Sequence, residues 1–381
     1  MRIRAAVLHG PNQPFAIEQL DLDAPHAGEV LVRLAACGVC HSDWHLVPGD
    51  TKHPMPVVAG HEGAGVVEAV GSGVDDVKTG DHVILSWAPN CGECFYCTHG
   101  RPNLCDTYTV PIWAGTMLDG TTRLALHGQP VFSYCGTAAF ATHTVVPRQS
   151  CVVIRRDVPL ESACLVGCAV ATGVGAAMFT AKVQHGESVA VFGCGGVGLN
   201  VVQGARLCGA TTIIAIDVKE SKSRITRSFG ATHFLPLPPG EGRPAVSGAE
   251  PGEGATADQI RSLTQSRGVD HAFEAVGIPR LQELAFDCLR PGGTLTLAGL
   301  SPMGSTTNFP GAIIARQEKT IKGSYYGTTD AQRDFPMLID LYASGKLLLD
   351  DLVSKRWKLE QINEAFAQML GGAAARGVIV L

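Results

Sequence analysis

The first part of the chain alternates apolar and polar positions with a period of two. Residues 5–8, 15–20 and 29–34 each read as a short strand, with Gly and Pro between them. Residues 63–70 and 81–86 continue the pattern across glycine turns, which predicts an irregular antiparallel β-unit. Residues 106–153 return to short β-like runs at 131–134 and 141–146, and 160–181 reads as a single helix. The pattern then changes. Residues 189–192 and 213–216 are wholly apolar, as strands buried on both faces should be. They alternate with helical stretches at 199–207, 219–229, 257–267 and 279–290, and with further strands at 232–235, 269–276, 294–300 and 320–326. That order predicts an α/β, doubly wound parallel sheet. The tail adds helices at 331–344 and 359–370 and a β-like 377–381, while Pro-, Gly- and Glu-rich 236–254 reads as a solvated insertion.

Composition changes little in this picture. At 381 residues, with 45% hydrophobic and 17% charged, the chain has material for two cores. A net charge of -5 and the lack of a Lys/Arg run exclude a footprint for nucleic acid or anionic lipid. The apolar run 167–181 is interrupted by Gly173 and Gly175 and falls short of the ~18 residues of a membrane span. Thirteen cysteines without a secretory leader point to a reducing compartment, the cytoplasm by default.

The strand at 189–192 runs into Gly193-Cys194-Gly195-Gly196-Val197-Gly198, and the next strand ends in Asp217, 19 residues beyond Gly198. Strand, glycine turn, helix, strand and terminal acid together form a dinucleotide-binding fingerprint. The glycines let a pyrophosphate approach the backbone at the helix N-terminus. Asp217 accepts hydrogen bonds from a ribose and faces a 2′-phosphate with a carboxylate, so NAD is favoured over NADP.

Four cysteines, Cys91, Cys94, Cys97 and Cys105, fall within 15 positions in a loop punctuated by Gly92, Gly100 and Pro102. They suffice to close a tetrahedron around one Zn²⁺, leaving no position for substrate, so this zinc is structural. Cys40 and His61 stand 21 positions apart, each beside a carboxylate, Asp43 and Glu62. Taken alone, such a pair is more often a buried thiol with a hydrogen-bonded core histidine than half of a metal site. Cys168 alone reads as a small buried residue.

Together these residues give the chain a resemblance to the zinc-dependent medium-chain dehydrogenase/reductase superfamily, specifically to its liver-type and glutathione-dependent formaldehyde dehydrogenase-like alcohol dehydrogenases. The resemblance implies a GroES-like irregular β catalytic domain over 1–169 and 326–381, with a zinc lobe near 90–106, and a Rossmann domain over 170–325. It implies Cys40, His61 and Cys168 as ligands of a catalytic zinc, and Cys91, Cys94, Cys97 and Cys105 as ligands of a second zinc in each subunit. Asp43 would orient the ligand histidine, and Glu62 would stand behind the metal. Ser42 and His45 would form a proton relay, and Thr172 would pack against the nicotinamide. Gly193, Gly195, Gly196, Val197, Gly198, Asp217 and Lys222 would hold the dinucleotide, with Arg376 near its pyrophosphate.

Two positions depart from the pattern. His41 replaces the Arg that liver enzymes often place after the first ligand, where it reaches a cofactor phosphate. The segment after Cys105 lacks the Arg expected to hold a glutathione carboxylate. The implied activity is reversible hydride transfer between an alcohol, primary with an aromatic or medium aliphatic tail, and NAD, giving the aldehyde. The alternatives are an S-(hydroxymethyl)glutathione dehydrogenase, a secondary-alcohol or polyol dehydrogenase, and a non-enzymatic cofactor-binding protein. Trp44, Trp87, Trp113 and Phe140 read as pocket lining or core. The implied assembly is a homodimer joined through the cofactor-domain sheets, with a tetramer as the alternative.

Overall fold

The computed structural model describes residues 1–238, 255–372 and 375–381, so the predicted insertion at 236–254 lies, from residue 239 on, outside the described residues. The chain divides into two compact units: Met1–Cys168 with Thr329–Leu381, and Ala169–Thr328.

The first unit is built mainly from antiparallel strands, with parallel pairing between Val57–Val58 and Gln129–Ser133 and between Val353–Lys358 and Arg376–Val380. Arg2–Leu8, Ala16–Leu22, Leu124–Leu126, Gln129–Ser133 and Val57–Val58 close a small barrel. Its interior is filled by Ile3, Val7, Leu20, Leu22, Val58 and Val131, the inward members of the period-two pattern. Beside it lies a seven-stranded sheet centred on Glu29–Val39, which pairs with Gly63–Val70, His143–Pro147 and Arg376–Val380. Pairing with the C-terminal strand is antiparallel, with Gly377 opposite Val39 and Ile379 opposite Cys37. The last residues of the chain therefore flank the segment that leads into Cys40.

Within this unit Glu29 and Arg123 form a buried, two-pronged ion pair. Arg123 donates from Nε to Glu29 Oε2 at 2.9 Å and from Nη2 to Glu29 Oε1 at 2.5 Å, and the same Nη2 reaches Asp119 at 2.7 Å. The Arg123 guanidinium holds the Asp119 carboxyl well below the usual carboxylate range.

The second unit carries six parallel strands among the described residues. Their order is His233–Pro236, Thr212–Asp217, Ser188–Phe192, Val269–Glu274, Leu289–Leu297 and Thr320–Gly323. The chain starts in the middle of the sheet, grows to one edge, returns and grows to the other, which is the doubly wound order. Ala190, Phe192, Ile214 and Ala272 are at most 1% exposed because helices cover both faces.

Two sequence expectations are corrected. Residues 106–114 are not β-like: Asp106–Ala114 is a helix despite Pro111. Thr107, Thr109 and Val110 lower its helical propensity. Burial of Tyr108 and Ile112 one turn apart, and the bond Thr109 Oγ1 donates to Cys105 O at 2.7 Å, override that. Nor is 160–181 one helix. Leu160–Ala163 passes into a tight turn at Cys164–Gly167, and a new helix, Ala169–Gly175, starts after Cys168, whose φ of -148° and ψ of -73° are not helical. Among the described residues, no single helix is long and apolar enough to cross a membrane.

Because removing one member of a buried ion pair strands the other's charge, Arg123→Met should destabilise the protein by about 3 kcal/mol. Urea or thermal unfolding of the full chain would measure it, and a change below about 1 kcal/mol would show that the pair does not hold the barrel to the sheet.

Candidate metal and dinucleotide sites

Strand Glu29–Val39 delivers Cys40 to the N-terminus of the short helix His41–Trp44. His61 and Glu62 precede strand Gly63–Val70, which pairs directly with Glu29–Val39. Cys168 comes from the break between helices described above. These segments bring ligand-capable atoms of Cys40, His61, Glu62 and Cys168 within 4.8 Å of one another. All four residues are buried, Cys40 and Cys168 at 7%, His61 at 2% and Glu62 at 0% exposure.

His61 donates from Nδ1 to Asp43 Oδ1 at 3.0 Å, and the Gly60 amide donates to the same oxygen at 2.8 Å. A carboxylate only accepts, so Nδ1 carries a proton and Nε2 is the nitrogen left to meet a metal once it is deprotonated. Burial works against a charged His61, yet the Asp43 carboxylate prevails and raises it well above its ordinary value. Hydrogen bonding with Cys168, helped by the Arg376 guanidinium and His61, holds the Cys40 thiol well below its ordinary value against burial.

Glu62 forms an ion pair with Arg376 from the C-terminal strand, both of them buried. The neighbouring backbone must be a glycine: a Cβ on Gly38 would lie 1.9 Å from Glu62 Oε2. The His61 ring is faced edge-on by Trp87 at 6.4 Å and by Tyr134 at 6.0 Å between centroids. Tyr134 also donates its hydroxyl to the Ser42 carbonyl at 3.1 Å.

Of the residues read as candidate lining, Trp87 therefore stands beside His61. Phe140 is core against Phe15 and Phe366, Trp44 packs on Phe366, and Trp113 lies beside Tyr134. Tyr134 and its neighbour His53 were missed, since a tyrosine ending a β-like run gives no signal of the tight turn Tyr134–Gly136 that aims it inward. Ser42 and His45 are three residues apart on one helical turn, and His45 Nδ1 lies 3.2 Å from Asp50 Oδ2. His41 is exposed at the start of the same helix.

The four lobe cysteines place their sulfurs within 4.8 Å of one another. Backbone amides point at them: Cys94 N–H donates to Cys91 Sγ at 3.3 Å and Cys91 N–H to Cys105 Sγ at 3.4 Å. Burial pushes the Cys97 thiol up to about 12. Burial also acts on Cys91, but bonds from Thr107 and the Glu93 and Cys94 amides bring it down to about 6. Amides aimed at converging sulfurs suit thiolates shared by one cation.

In the second unit the glycine turn leads into a helix that begins at Gly196, three residues earlier than the periodicity predicts, with Gly195 as its N-cap. Gly196, Val197 and Gly198 thus form its first turn. A Cβ on Gly198 would strike the Gly193 carbonyl at 1.7 Å, whereas one on Gly195 would meet nothing within 4 Å. One glycine permits the turn and the other leaves open space at the amide end of a helix, which fits a pyrophosphate. Asp217 Oδ2 accepts from the Cys194 amide and from Lys222 Nζ, both at 2.8 Å, and Oδ1 accepts from the Lys219 amide at 3.0 Å. Thr172 is buried in helix Ala169–Gly175.

Comparison with known proteins agrees with this geometry. Residues 26–156 match the family described as alcohol dehydrogenase GroES-like domain, and residues 196–344 match zinc-binding dehydrogenase. The chain is 40% identical to an NDMA-dependent alcohol dehydrogenase of Amycolatopsis methanolica, covering 100% of this chain and 99% of that one. It is 39% identical to an S-(hydroxymethyl)glutathione dehydrogenase of Photobacterium damsela, covering 100% of both. A benzyl alcohol dehydrogenase from Acinetobacter calcoaceticus superposes with a TM-score of 0.91 at 30% identity, over 100% of this chain and 99% of that one.

The first unit is thus GroES-like and the second Rossmann-like, as the resemblance implied. The chain belongs to the zinc-dependent medium-chain alcohol dehydrogenases, and it is an oxidoreductase of that family.

If Asp43 fixes the imidazole, Asp43→Ala should weaken metal retention at the Cys40–His61–Cys168 site by about 10- to 100-fold. Timed chelator competition against the unaltered chain, with metal counted per subunit, would show it. Equal loss rates would remove Asp43 from that role.

Proposed function

We propose that the chain oxidises primary alcohols to aldehydes, reversibly, with NAD as hydride acceptor and two zinc ions in each subunit. The observation that carries this reading is the buried set Cys40, His61 and Cys168 with a carboxylate-fixed imidazole, in a chain of the alcohol dehydrogenase family. Two thiols and an imidazole are the donor set of a catalytic zinc that keeps a position open, and the Cys₂His site of alcohol dehydrogenase is a known instance. Cys91, Cys94, Cys97 and Cys105 would hold the second ion, with no position left over. When bound, zinc supplies Lewis acidity toward the alcohol oxygen, and NAD supplies the acceptor for its hydride.

The remaining work belongs to the chain. Asp43 orients His61, while Glu62 and Arg376 cancel each other's charge beside the donor set. The hydroxyl proton of the alcohol passes to Ser42 Oγ, which releases its own toward His45, and His45 exchanges it with water. Gly193, Gly195, Gly196, Val197 and Gly198 seat the pyrophosphate, His41 and Arg376 serve its phosphates, and Thr172 packs on the nicotinamide. Asp217 and Lys222 hold the adenosine ribose. Trp87 and Tyr134 give the donor set an aromatic flank, which suits benzylic substrates such as the one named for the Acinetobacter enzyme.

The second reading, a glutathione-linked hydroxymethyl substrate, is supported by relatives bearing that name. Against it, helix Asp106–Ala114 offers no arginine where a glutathione carboxylate would need one. The cofactor domain's edge strand, Thr320–Gly323, suits an edge-to-edge homodimer, and thirteen free cysteines suit a cytoplasmic setting.

Initial rates across benzylic, allylic, aliphatic and secondary alcohols, with NAD and with NADP, should favour primary benzylic alcohols and NAD. Activity that requires added glutathione would establish the second reading instead. Asp217→Ala frees Lys222 to meet a 2′-phosphate, so the ratio of kcat/KM for NADP to that for NAD should rise by about tenfold or more. An unmoved ratio would take Asp217 out of cofactor selection.

His45→Gln should slow alcohol oxidation most below about pH 7, with an amine buffer restoring part of the rate. A rate unchanged at every pH would remove His45 from the relay.

A further inference from the structure

We propose that Asp50 is a positioning residue for His45: its carboxylate keeps the imidazole proton on Nδ1 and leaves Nε2 as the proton acceptor of the relay. This rests on the relay reading of His45 given above. Helix His41–Trp44 ends at His45, and the chain then folds back over its own end. Gly49 N–H donates to Leu46 O at 3.3 Å, and Thr51 N–H donates to His45 O at 3.0 Å. Asn12 N–H grips the loop from another segment, donating to Val47 O at 2.6 Å. This closure carries Asp50 to the imidazole, with Oδ2 at 3.2 Å from Nδ1.

An ionised carboxylate has no proton to give, so the ring nitrogen facing it must be the one bearing hydrogen. In the neutral imidazole the other nitrogen is then a lone-pair acceptor. An unpartnered histidine spreads its proton over both nitrogens and presents the wrong one for part of the time. Among the described residues, Asp50 is the carboxylate that pairs with His45 within 4.0 Å. His41, a turn earlier on the same helix, meets it through a backbone bond from His45 N–H to His41 O at 3.0 Å.

With His45 at 35% and Asp50 at 61% side-chain exposure, water screens the pair. The carboxylate therefore acts chiefly through control of the tautomer. When the proton from Ser42 arrives at Nε2, the imidazolium forms beside Asp50. It then returns a proton to water, which restores the starting state.

Asp50→Asn and Asp50→Glu should be compared with the unaltered full-length, zinc-loaded chain and with His45→Gln. One readout is the acid limb of kcat against pH for benzyl alcohol oxidation. The other is the ¹⁵N spectrum of ring-labelled histidine, with His45 assigned by its loss in His45→Gln. In Asp50→Asn, the acid limb should move toward lower pH. The Nδ1-protonated tautomer should lose its excess, and the plateau kcat should fall about three- to tenfold while KM stays within about twofold. Asp50→Glu should restore most of each.

An unchanged His45 spectrum and limb in Asp50→Asn would overturn the assignment of Asp50, provided that His45→Gln slows the reaction on the acid side. A rate unchanged at every pH in His45→Gln would overturn the relay reading itself, and this proposal with it.

Discussion

Two thiols, an imidazole and a carboxylate are held within 4.8 Å of one another, each at most 7% exposed. Such a group cannot be buried in its ionised form without a counter-charge, because removing a single ion from water costs several kcal/mol. The neighbours pull in opposite senses: hydrogen bonding with Cys168 holds the Cys40 thiol well below its ordinary value, while Asp43 raises His61 well above its own. A proton on nitrogen beside a charge on sulfur is the arrangement that a divalent cation replaces, taking both donors at once. The rest of the first unit reads as scaffolding for that exchange. Asp43 is fully buried and commits one oxygen to both His61 and the Gly60 amide, so the ring cannot turn its lone pair elsewhere.

The scaffold works because elements distant in sequence are adjacent in the sheet. Strand Glu29–Val39 has Gly63–Val70 on one side and Arg376–Val380 on the other. Cys40 leaves the end of the central strand, Glu62 enters the neighbour on one side, and Arg376 starts the neighbour on the other. Gly38 sits where these three meet, and the missing side chain is what admits the Glu62 carboxylate. Cys168 could not be supplied by a continuous helix. The non-helical backbone at that residue is where the helix gives way to the demands of the site, and backbone irregularity at functional positions is the expected form of that trade.

Much of this was legible in the sequence wherever the signal is local. The four-cysteine lobe, the glycine turn with Asp217 and the wholly apolar central strands declare themselves through spacing and composition, because a loop, a turn and a buried strand each impose their own residue types. The Cys40–His61–Cys168 set was legible only through family resemblance, since three positions spread over 128 residues have no local signature. Helix Asp106–Ala114 was misread because β-branched residues and Pro111 outvote two buried side chains when no tertiary contact is known. Asp50 and Tyr134 were invisible for a related reason. Each acts through a loop closure or a tight turn whose direction depends on backbone hydrogen bonds that composition does not encode.

Charge accounting links the donor set to proton release. A divalent ion held by Cys40 and Cys168 as thiolates, with His61 neutral, is balanced by its own ligands, which limits the cost of keeping it dry. Glu62 could add a further negative charge, but Arg376 meets it in a buried pair and removes that term. Asp43 has His61 as its partner, and its charge is directed into the ring's Nδ1–H. That makes the imidazole a stronger donor to a metal, as carboxylate-backed histidine ligands generally are. The pairing of His45 with Asp50 repeats the device at the surface with the opposite consequence. There, in the proposed relay, the other ring nitrogen would receive a moving proton, and the pair's exposure would let it pass on to water. A carboxylate fixing an imidazole thus occurs twice on one short stretch of chain, once in a dry setting that favours holding a cation and once in a wet one that favours releasing a proton.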